Sequence, residues 1–344
     1  MIDKHKPDMT ISSYSARAGL RSVFALLTAC IAALCTMGLA QAAQWPERPI
    51  QLIVPFPAGS SPDILARTIA EPLSRDLGQT VIVENRPGAG GNIGTRQASQ
   101  AKPDGYTLLM TINGPMVTAP TLYKTSLGYD PLTDLAPVTL VGTSPNVLIV
   151  QPELPAEHIQ EFVELARADA GGMNYGSVGP GSSSHLGMAM LEHEAGITLE
   201  QIPYTGFPQI TNAIMAGDIH AGFMVPGIAM PLVKADKVRA LAITSLEPST
   251  LLPGIPTMAS QGFPAFESIS WNALFVPAGT PEHIIERLNK SITTSLQDDD
   301  VIQKMEMLFF TPQPSTPDEM TQRITTEKEL WDGVIDRLGL SLDH

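Results

Sequence analysis

Between residues 50 and 276 the sequence keeps returning to short, continuous apolar runs, and no other feature limits the possible folds as much. The runs occupy residues 50–55, 80–83, 106–110, 147–150, 221–225, 238–244 and 270–276. Each is too short for a buried helix and apolar at consecutive positions, the mark of a strand covered on both faces. Helical patterns separate several of them. After Pro62, the residues Leu65, Ile69, Leu73 and Leu77 recur every fourth position and so share one helix face. Pro72 falls inside that pattern and is expected to kink or interrupt it. Stretches 155–170 and 281–296 open on a proline, which suits a first helical turn. Strands alternating with helices in this way build an α/β sheet. No internal repeat or low-complexity tract stands out.

A length of 344 residues suggests about two domains. Two extended stretches read as passages between them: 136–151, holding Pro137 and Pro145, and 247–277, rich in Pro and Gly and holding Trp271. Two crossings mean that the chain leaves the first domain, builds the second and returns. Such a double crossing suits a hinge. The expected division is 43–144 with 271–344 as one lobe and 145–270 as the other.

Residues 1–42 read as an export signal. Lys4, Lys6, Arg17 and Arg21 make a basic start, residues 23–39 are apolar and uncharged, and Ala40-Gln41-Ala42 supplies a small-x-small cleavage site. An uncleaved anchor is the alternative reading of the apolar run. Removal of the segment takes Cys30 and Cys35 with it, so the mature chain has no thiol for a disulfide, a nucleophile or a metal. That composition fits the periplasm.

The whole chain carries a formal charge of −14, from 21 Lys+Arg against 35 Asp+Glu; without residues 1–42 the balance is 17 against 33. This excess excludes a general nucleic-acid or anionic-membrane surface, which requires surplus cations. It leaves open a small anion, because a local field can oppose the global one.

Two glycine-rich loops could create that field. The segment Pro55-Phe56-Pro57-Ala58-Gly59-Ser60-Ser61-Pro62-Asp63 follows an apolar run and opens a helix, with Ser61 as expected N-cap and Pro62 as expected first helical residue. Gly59 allows a tight turn and close backbone approach. A strand–loop–helix junction aims free N–H groups and a positive dipole end at one place, which suits an anion. The segment Tyr175-Gly176-Ser177-Val178-Gly179-Pro180-Gly181-Ser182-Ser183-Ser184-His185-Leu186 repeats the design in the other expected lobe. Both loops lack Lys and Arg, so a carboxylate held there would meet amides, hydroxyls and water. Asp63 opposes this unless it faces away or meets a cation.

Other chemistries find less support. Glu84-Asn85-Arg86-Pro87-Gly88-Ala89-Gly90-Gly91-Asn92-Ile93-Gly94 resembles a dinucleotide loop, but four residues separate its strand from the glycines, where the fingerprint turns at once. A turn packing a helix beneath the first loop is the better reading. There is no G-x-S-x-G elbow, although Ser182, Ser183 and His185 cluster. An exported serine hydrolase is therefore a distant alternative, and His185 reads as a structural or ligand-contacting group. His158, His193, His220 and His283 show no metal-ligand spacing, and Met188 and Met190 read as helix packing. Neither a metal nor a cofactor is expected.

In its ordered motifs the chain resembles the Bug-type extracytoplasmic solute receptors of tripartite tricarboxylate transporters. The likeness runs from Trp45 to Leu340. It includes Trp45-Pro46-Glu47-Arg48-Pro49-Ile50, both glycine loops, the 84–94 segment, Pro103-Asp104-Gly105-Tyr106-Thr107-Leu108 and Tyr129-Asp130-Pro131. It continues with Pro203-Tyr204-Thr205-Gly206, Leu241-Ala242-Ile243-Thr244, Pro253-Gly254-Ile255-Pro256-Thr257 and, after Trp271, Pro277-Ala278-Gly279-Thr280-Pro281. The resemblance implies a type II periplasmic-binding-protein fold, with two α/β lobes, a central ligand cleft and a two-strand hinge. It implies a small organic acid bound between the loop around Pro57, Ala58, Gly59, Ser60, Ser61 and Asp63 and the loop holding Ser177, Ser182, Ser183 and His185. Tyr175 would help orient the carboxylate, with Thr111, Asn113, Tyr204 and Phe207 as wall residues. It further implies a monomer that is not an enzyme and that delivers its ligand to tripartite transporter membrane subunits; signalling through a membrane sensor kinase is the alternative.

Three departures from the family pattern bear on the ligand. Ser60 stands where a second glycine is common, His220 and Met224 where many members have an Asp pair, and Phe207-Pro208 where smaller or polar residues are common. Loss of two carboxylates would weaken recognition of an ammonium group, so the expected ligand is a carboxylate without an amino group and with an apolar or aromatic body. Repacking of the wall is the alternative meaning of these positions.

Overall fold

The computed structural model describes residues 1–2 and 45–343. Residues 3–42 of the expected export signal, with the expected cleavage site and both cysteines, lie outside the described residues. The folded unit that carries the sheets begins at Arg48. Among the described residues no helix is long and apolar enough to cross a membrane.

The chain first lays down β1 (Ile50–Val54), α1 (Ser61–Leu77), β2 (Val81–Asn85), α2 (Asn92–Ser99), β3 (Thr107–Ile112), α3 (Ala119–Leu122) and β4 (Leu135–Pro145). After the single residue Asn146 come β5 (Val147–Val150), α4 (Ile159–Ala168), β6 (Asn174–Ser177), α5 (Ser183–Ala195), β7 (Glu200–Pro203), α6 (Phe207–Ala216), β8 (Ala221–Met224), α7 (Pro226–Lys234) and β9 (Arg239–Ile243). The chain then returns as β10 (Ile269–Pro277), α8 (Glu282–Ser295), α9 (Asp299–Glu306), β11 (Thr311–Pro312) and α10 (Pro317–Leu338).

Two sheets result. The first has the order β11-β4-β10-β3-β1-β2, and the second β7-β6-β8-β5-β9. In the first, β1 runs parallel to β2 and β3, while β10 is antiparallel to both β3 and β4. In the second, β6 runs parallel to β7 and β8, and β5 is antiparallel to β8 and β9. Each sheet is therefore mixed: three parallel strands joined through one antiparallel strand, β10 or β5, to further antiparallel-paired strands. Helices α1, α2, α8 and α10 pack on strands of the first sheet, and α5, α6 and α7 on strands of the second.

All seven apolar runs form strands. Four strands are additional. The stretch read as a passage, 136–151, contains β4, which pairs with β10 along nine residues. Strand β7 (Glu-Gln-Ile-Pro) lacks an apolar run because it is the sheet edge, and β6 (Asn-Tyr-Gly-Ser), though buried from Tyr175, carries a glycine where a Cβ would meet Ile210 at 2.5 Å and a serine that is hydrogen-bonded. The two-residue β11 only extends the far edge of the first sheet.

Helix α1 buries Leu65, Ile69, Leu73 and Leu77 on the predicted face, each side chain contributing roughly 1.5–3 kcal/mol of transfer free energy. Pro72 does not interrupt it; one 17-residue helix runs through to a left-handed cap at Gly78. The buried stripe on either side holds the helix together against the loss of one N–H. Helix α4 starts at Ile159, later than Pro155 suggested, because the Glu161 carboxylate caps it by accepting from the N–H groups of Glu157 and His158 (2.6 and 3.3 Å).

The crossings between sheets lie side by side. Asn146 N–H donates to Thr244 Oγ1 (2.8 Å), whose hydroxyl donates to the Ser268 carbonyl (2.6 Å). Thr244 N–H donates to the Asn146 carbonyl (3.0 Å) and Ser268 N–H to that of Thr244 (3.2 Å). Asn146, Thr244 and Ser268 are all buried, so the hinge is a hydrogen-bonded knot rather than two loose strands.

Candidate functional site

The two glycine loops fold into the same kind of junction, although only the Ser182 hydroxyl also caps its helix, by accepting from His185 N–H. In the first, the Ser60 hydroxyl and N–H both reach back to the Pro57 carbonyl, at 2.7 and 3.2 Å. In the second, the Ser182 hydroxyl and N–H reach back to the Gly179 carbonyl, at 2.7 and 3.3 Å. Ser60 and Ser182 are the N-caps of α1 and α5, with φ/ψ of −71/159 and −70/158. The N-cap of α1 is thus one residue earlier than expected, with Ser61 first in the helix and Pro62 second. Gly59 and Gly181 precede the caps at φ +83 and +74, a left-handed conformation that glycine adopts without strain.

Each of these glycines is locked from four residues downstream. Gly59 N–H donates to the Asp63 carboxylate (2.8 Å), and Gly181 N–H donates to His185 Nδ1 (3.0 Å). Asp63 also accepts from Arg67 Nε (3.0 Å) and Asn85 Nδ2 (2.9 Å). Burial pushes its carboxyl up, but the bonds from Arg67, Gly59 and Asn85 outweigh that and hold it below the usual carboxylate range. The expected conflict between Asp63 and an anion is resolved inside the loop: the carboxylate meets a guanidinium and is buried. Burial lowers His185, which fits a neutral ring accepting through Nδ1.

These locks change which amides can face a ligand. The N–H groups of Gly59, Ser60, Gly179, Gly181 and Ser182 bond within the loops, and that of Val178 bonds Ser184 Oγ (3.1 Å). Among the donors that remain are those of the first helical turns, including Ser61 in α1 and Ser183 in α5, which have no carbonyl one turn back to bond. Both residues line one cavity of about 720 Å³. Gly59, Asn113, Ser182 and Phe207 join them in its wall.

Other predicted residues lie elsewhere. Pro57, Ala58 and Ser60 shape the first loop without lining the cavity. Tyr175 is buried in the core, where burial and then the nearby Glu192 raise its phenol. Ser177 Oγ accepts from Gly179 N–H (3.2 Å) and Gln201 Nε2 (2.7 Å), and so braces the second loop. Thr111 is fully buried on the sheet face opposite Ile112, the neighbour that lines the cavity. Tyr204 packs on the core of the second sheet. Of the departures from the family pattern, Met224 is core and His220 Nδ1 bonds Asn174, so neither reaches the wall, whereas Phe207 does.

The sequence reading missed Asn92. Its segment was read as a turn packing a helix under the first loop, and it does so: a Cβ at Gly91 would meet the Phe56 ring at 2.7 Å, and one at Gly94 would meet Pro55 at 2.8 Å. The same turn also brings Ala89, Gly90 and Asn92 into the cavity wall. The Tyr129 hydroxyl donates to the Pro115 carbonyl (2.8 Å) and lies 3.2 Å from the Asn92 carboxamide, which it helps to position. The hinge contributes Ser144, Asn146, Ser268, Ser270 and Asn272, none of which belongs to a recognisable motif. A π-helical turn at Gly114–Thr118, a feature frequent at functional sites, adds Gly114 and Thr118.

Among the described residues lining the cavity there is no Lys, Arg, Asp or Glu. Its polar groups are helix-start amides, hydroxyls and carboxamides, and its apolar walls include Leu186, Phe207, Phe310 and Trp331. Such a site can hold an anion by dipoles alone. Ser182 and His185 are committed to loop backbone, the hydroxyl to Gly179 and Nδ1 to Gly181, and do not form a nucleophile–base pair.

A family model described as "Tripartite tricarboxylate transporter family receptor" matches residues 65–340. Protein BugT of Bordetella pertussis is 35% identical over 312 residues, covering 90% of this chain and 96% of that one. A solved structure of an R. palustris protein with adipate is 31% identical, with a TM-score of 0.74 over 86% of this chain and 99% of that one. MatC from Rhodopseudomonas palustris with bound malate is 29% identical, with a TM-score of 0.70 over 85% of this chain and 100% of that one. With its two-lobed α/β architecture and these relatives, the chain belongs to the Bug-type receptors of the tripartite tricarboxylate transporter family.

Proposed function

We propose that the protein is a periplasmic solute receptor, not an enzyme, that captures a small organic carboxylate between two lobes. The observation that carries this reading is the pair of matched junctions opening on one uncharged cavity. Ser61 and Ser183 offer amide and hydroxyl donors from opposite sheets, and each helix start adds roughly 0.3–1 kcal/mol toward a negative charge, more when partly buried. That relatives were solved with adipate and with malate supports the ligand class. Residues 43–144 and 271–344 would form one lobe and 145–270 the other, turning about the knot at Asn146, Thr244 and Ser268. The receptor acts as an exported monomer and passes its ligand to membrane subunits of a tripartite transporter.

The test is a thermal-shift series on refolded protein with malate, succinate, adipate and hydroxy acids. A ligand at about 100 times its Kd stabilises by roughly 2.7 kcal/mol, or several degrees in Tm. A flat response across the series would overturn the carboxylate assignment. Loss of uptake on deleting the cognate membrane subunits tests delivery.

A further inference from the structure

Resting on that carboxylate reading, we propose that the hinge floor of the cavity is a hydroxyl-recognising subsite centred on Ser144 and Asn272. The pairing of β4 with β10 sets Ser144 opposite Ser270, and Asn272 stands two residues further along the same face. Asn272 in turn faces Ile112 of β3. All four residues line the cavity. Ser144 and Asn272 are 2% and 1% exposed, yet Ser144 Oγ and Asn272 Oδ1 have no hydrogen-bond partner among the described residues.

Such orphans call for an occupant, because a buried polar group without a partner is destabilising and uncommon in native proteins. Two neighbours show what kind of occupant. Asn113 Nδ2 donates to the Ile269 carbonyl (3.2 Å) and Asn146 Nδ2 to the Ser268 carbonyl (2.9 Å), so each carboxamide keeps its oxygen as the unused end. The cavity therefore offers backbone donors at the helix starts, whereas the hinge adds carboxamide oxygens and hydroxyls that can accept.

A carboxylate fits the first end, but at the second, since it carries only acceptors, it leaves the Asn272 oxygen without a donor. An ammonium could donate at the floor, but no carboxylate lines the cavity to balance its charge. A hydroxyl is uncharged, and it both donates and accepts. It can thus serve Asn272 and Ser144 together. The preferred ligand carries a carboxylate at one end and a hydroxyl toward the other.

Calorimetry on the intact refolded protein can decide this with matched probes: 4-hydroxybutanoate against butanoate, succinate and 4-aminobutanoate, and 6-hydroxyhexanoate against hexanoate, adipate and 6-aminohexanoate. The hydroxy acid of at least one set is expected to bind about tenfold tighter than its partners. Asn272→Leu and Ser144→Ala should erase that preference without lowering the Tm of the free protein, because each removes a polar atom that has no partner. Equal or weaker binding of both hydroxy acids overturns the subsite while leaving the carboxylate reading intact. So does a preference that survives both variants, or an equal loss for all probes of a set. If no probe binds, the carboxylate reading fails and takes the subsite with it.

Discussion

Replacing Ser183 by proline should disarm the cavity while sparing the fold. Ser183 is the first residue of α5, where proline is well tolerated because the missing N–H has no helical partner. Its predecessor Ser182 already sits at φ −70, ψ 158, within the extended range that a following proline demands. Ser183 is exposed, so the ring displaces no core atom. The change in folding stability should therefore stay within about 0.5 kcal/mol, or roughly 1–2 °C in Tm. Binding is another matter. One N–H donor to a carboxylate, a charge-assisted hydrogen bond, contributes about 1.5–3 kcal/mol, so affinity should fall about 10- to 150-fold. Ser183→Ala keeps the amide and separates the hydroxyl's share. Calorimetry with whichever acid gives the largest thermal shift, alongside a melting curve of the free protein, measures both quantities. An unchanged Kd in Ser183→Pro with an unchanged Tm would refute the claim that helix-start amides hold the anion.

Three further perturbations probe the supports. Gly59→Ala should lower stability by about 1–2 kcal/mol through its φ of +83 alone, since a Cβ there meets nothing within 4 Å; an urea midpoint equal to wild type would contradict this. His185 is held below its ordinary range by burial, so the unfolded chain protonates first and stability falls as the pH drops through 6.5 toward the folded value. The stability gap between wild type and His185→Asn should accordingly shrink between pH 7.5 and 5.5; a constant gap counts against the lock on Gly181. The Trp271 indole donates to Glu327 (2.8 Å), whose carboxyl is pushed up chiefly by burial despite Trp271 and Arg323. Glu327→Gln keeps the acceptor and should cost far less at neutral pH than Glu327→Ala, which strands a buried indole N–H at about 1–3 kcal/mol. Equal melting temperatures for the two variants would show that the Trp271 indole bond does not stabilise the fold.

The sheets were legible wherever strands are buried on both faces, because burial forces consecutive apolar residues, as at β1, β5 and β8. Strand β7 was not, since an edge strand can carry Glu and Gln in water, and neither was β6, whose buried Gly176 and Ser177 are set by close packing and loop bracing instead of apolar bulk. Both junctions were readable from glycine, serine and a following helix. Their locks were not: the bonds from Gly59 to Asp63 and from Gly181 to His185 use two different side chains for one task, so no shared residue type announces them. Asn92, Ser144 and Asn272 escaped for another reason. They reach the cavity through a turn and through strand register, and register is a property of pairing that a single run of sequence does not display. Tyr175 misled because a phenol suggests a contact with ligand, whereas its ring fills the core.

That no ionised side chain is found among the described residues lining the cavity also bears on release. Drawing an anion off an arginine would leave a bare cation in a half-dry cleft, and that separation is steeply uphill. Here a departing carboxylate would leave behind only neutral dipoles, which water could solvate one at a time. Unloading can then proceed in small steps, with no single barrier set by tearing two opposite charges apart.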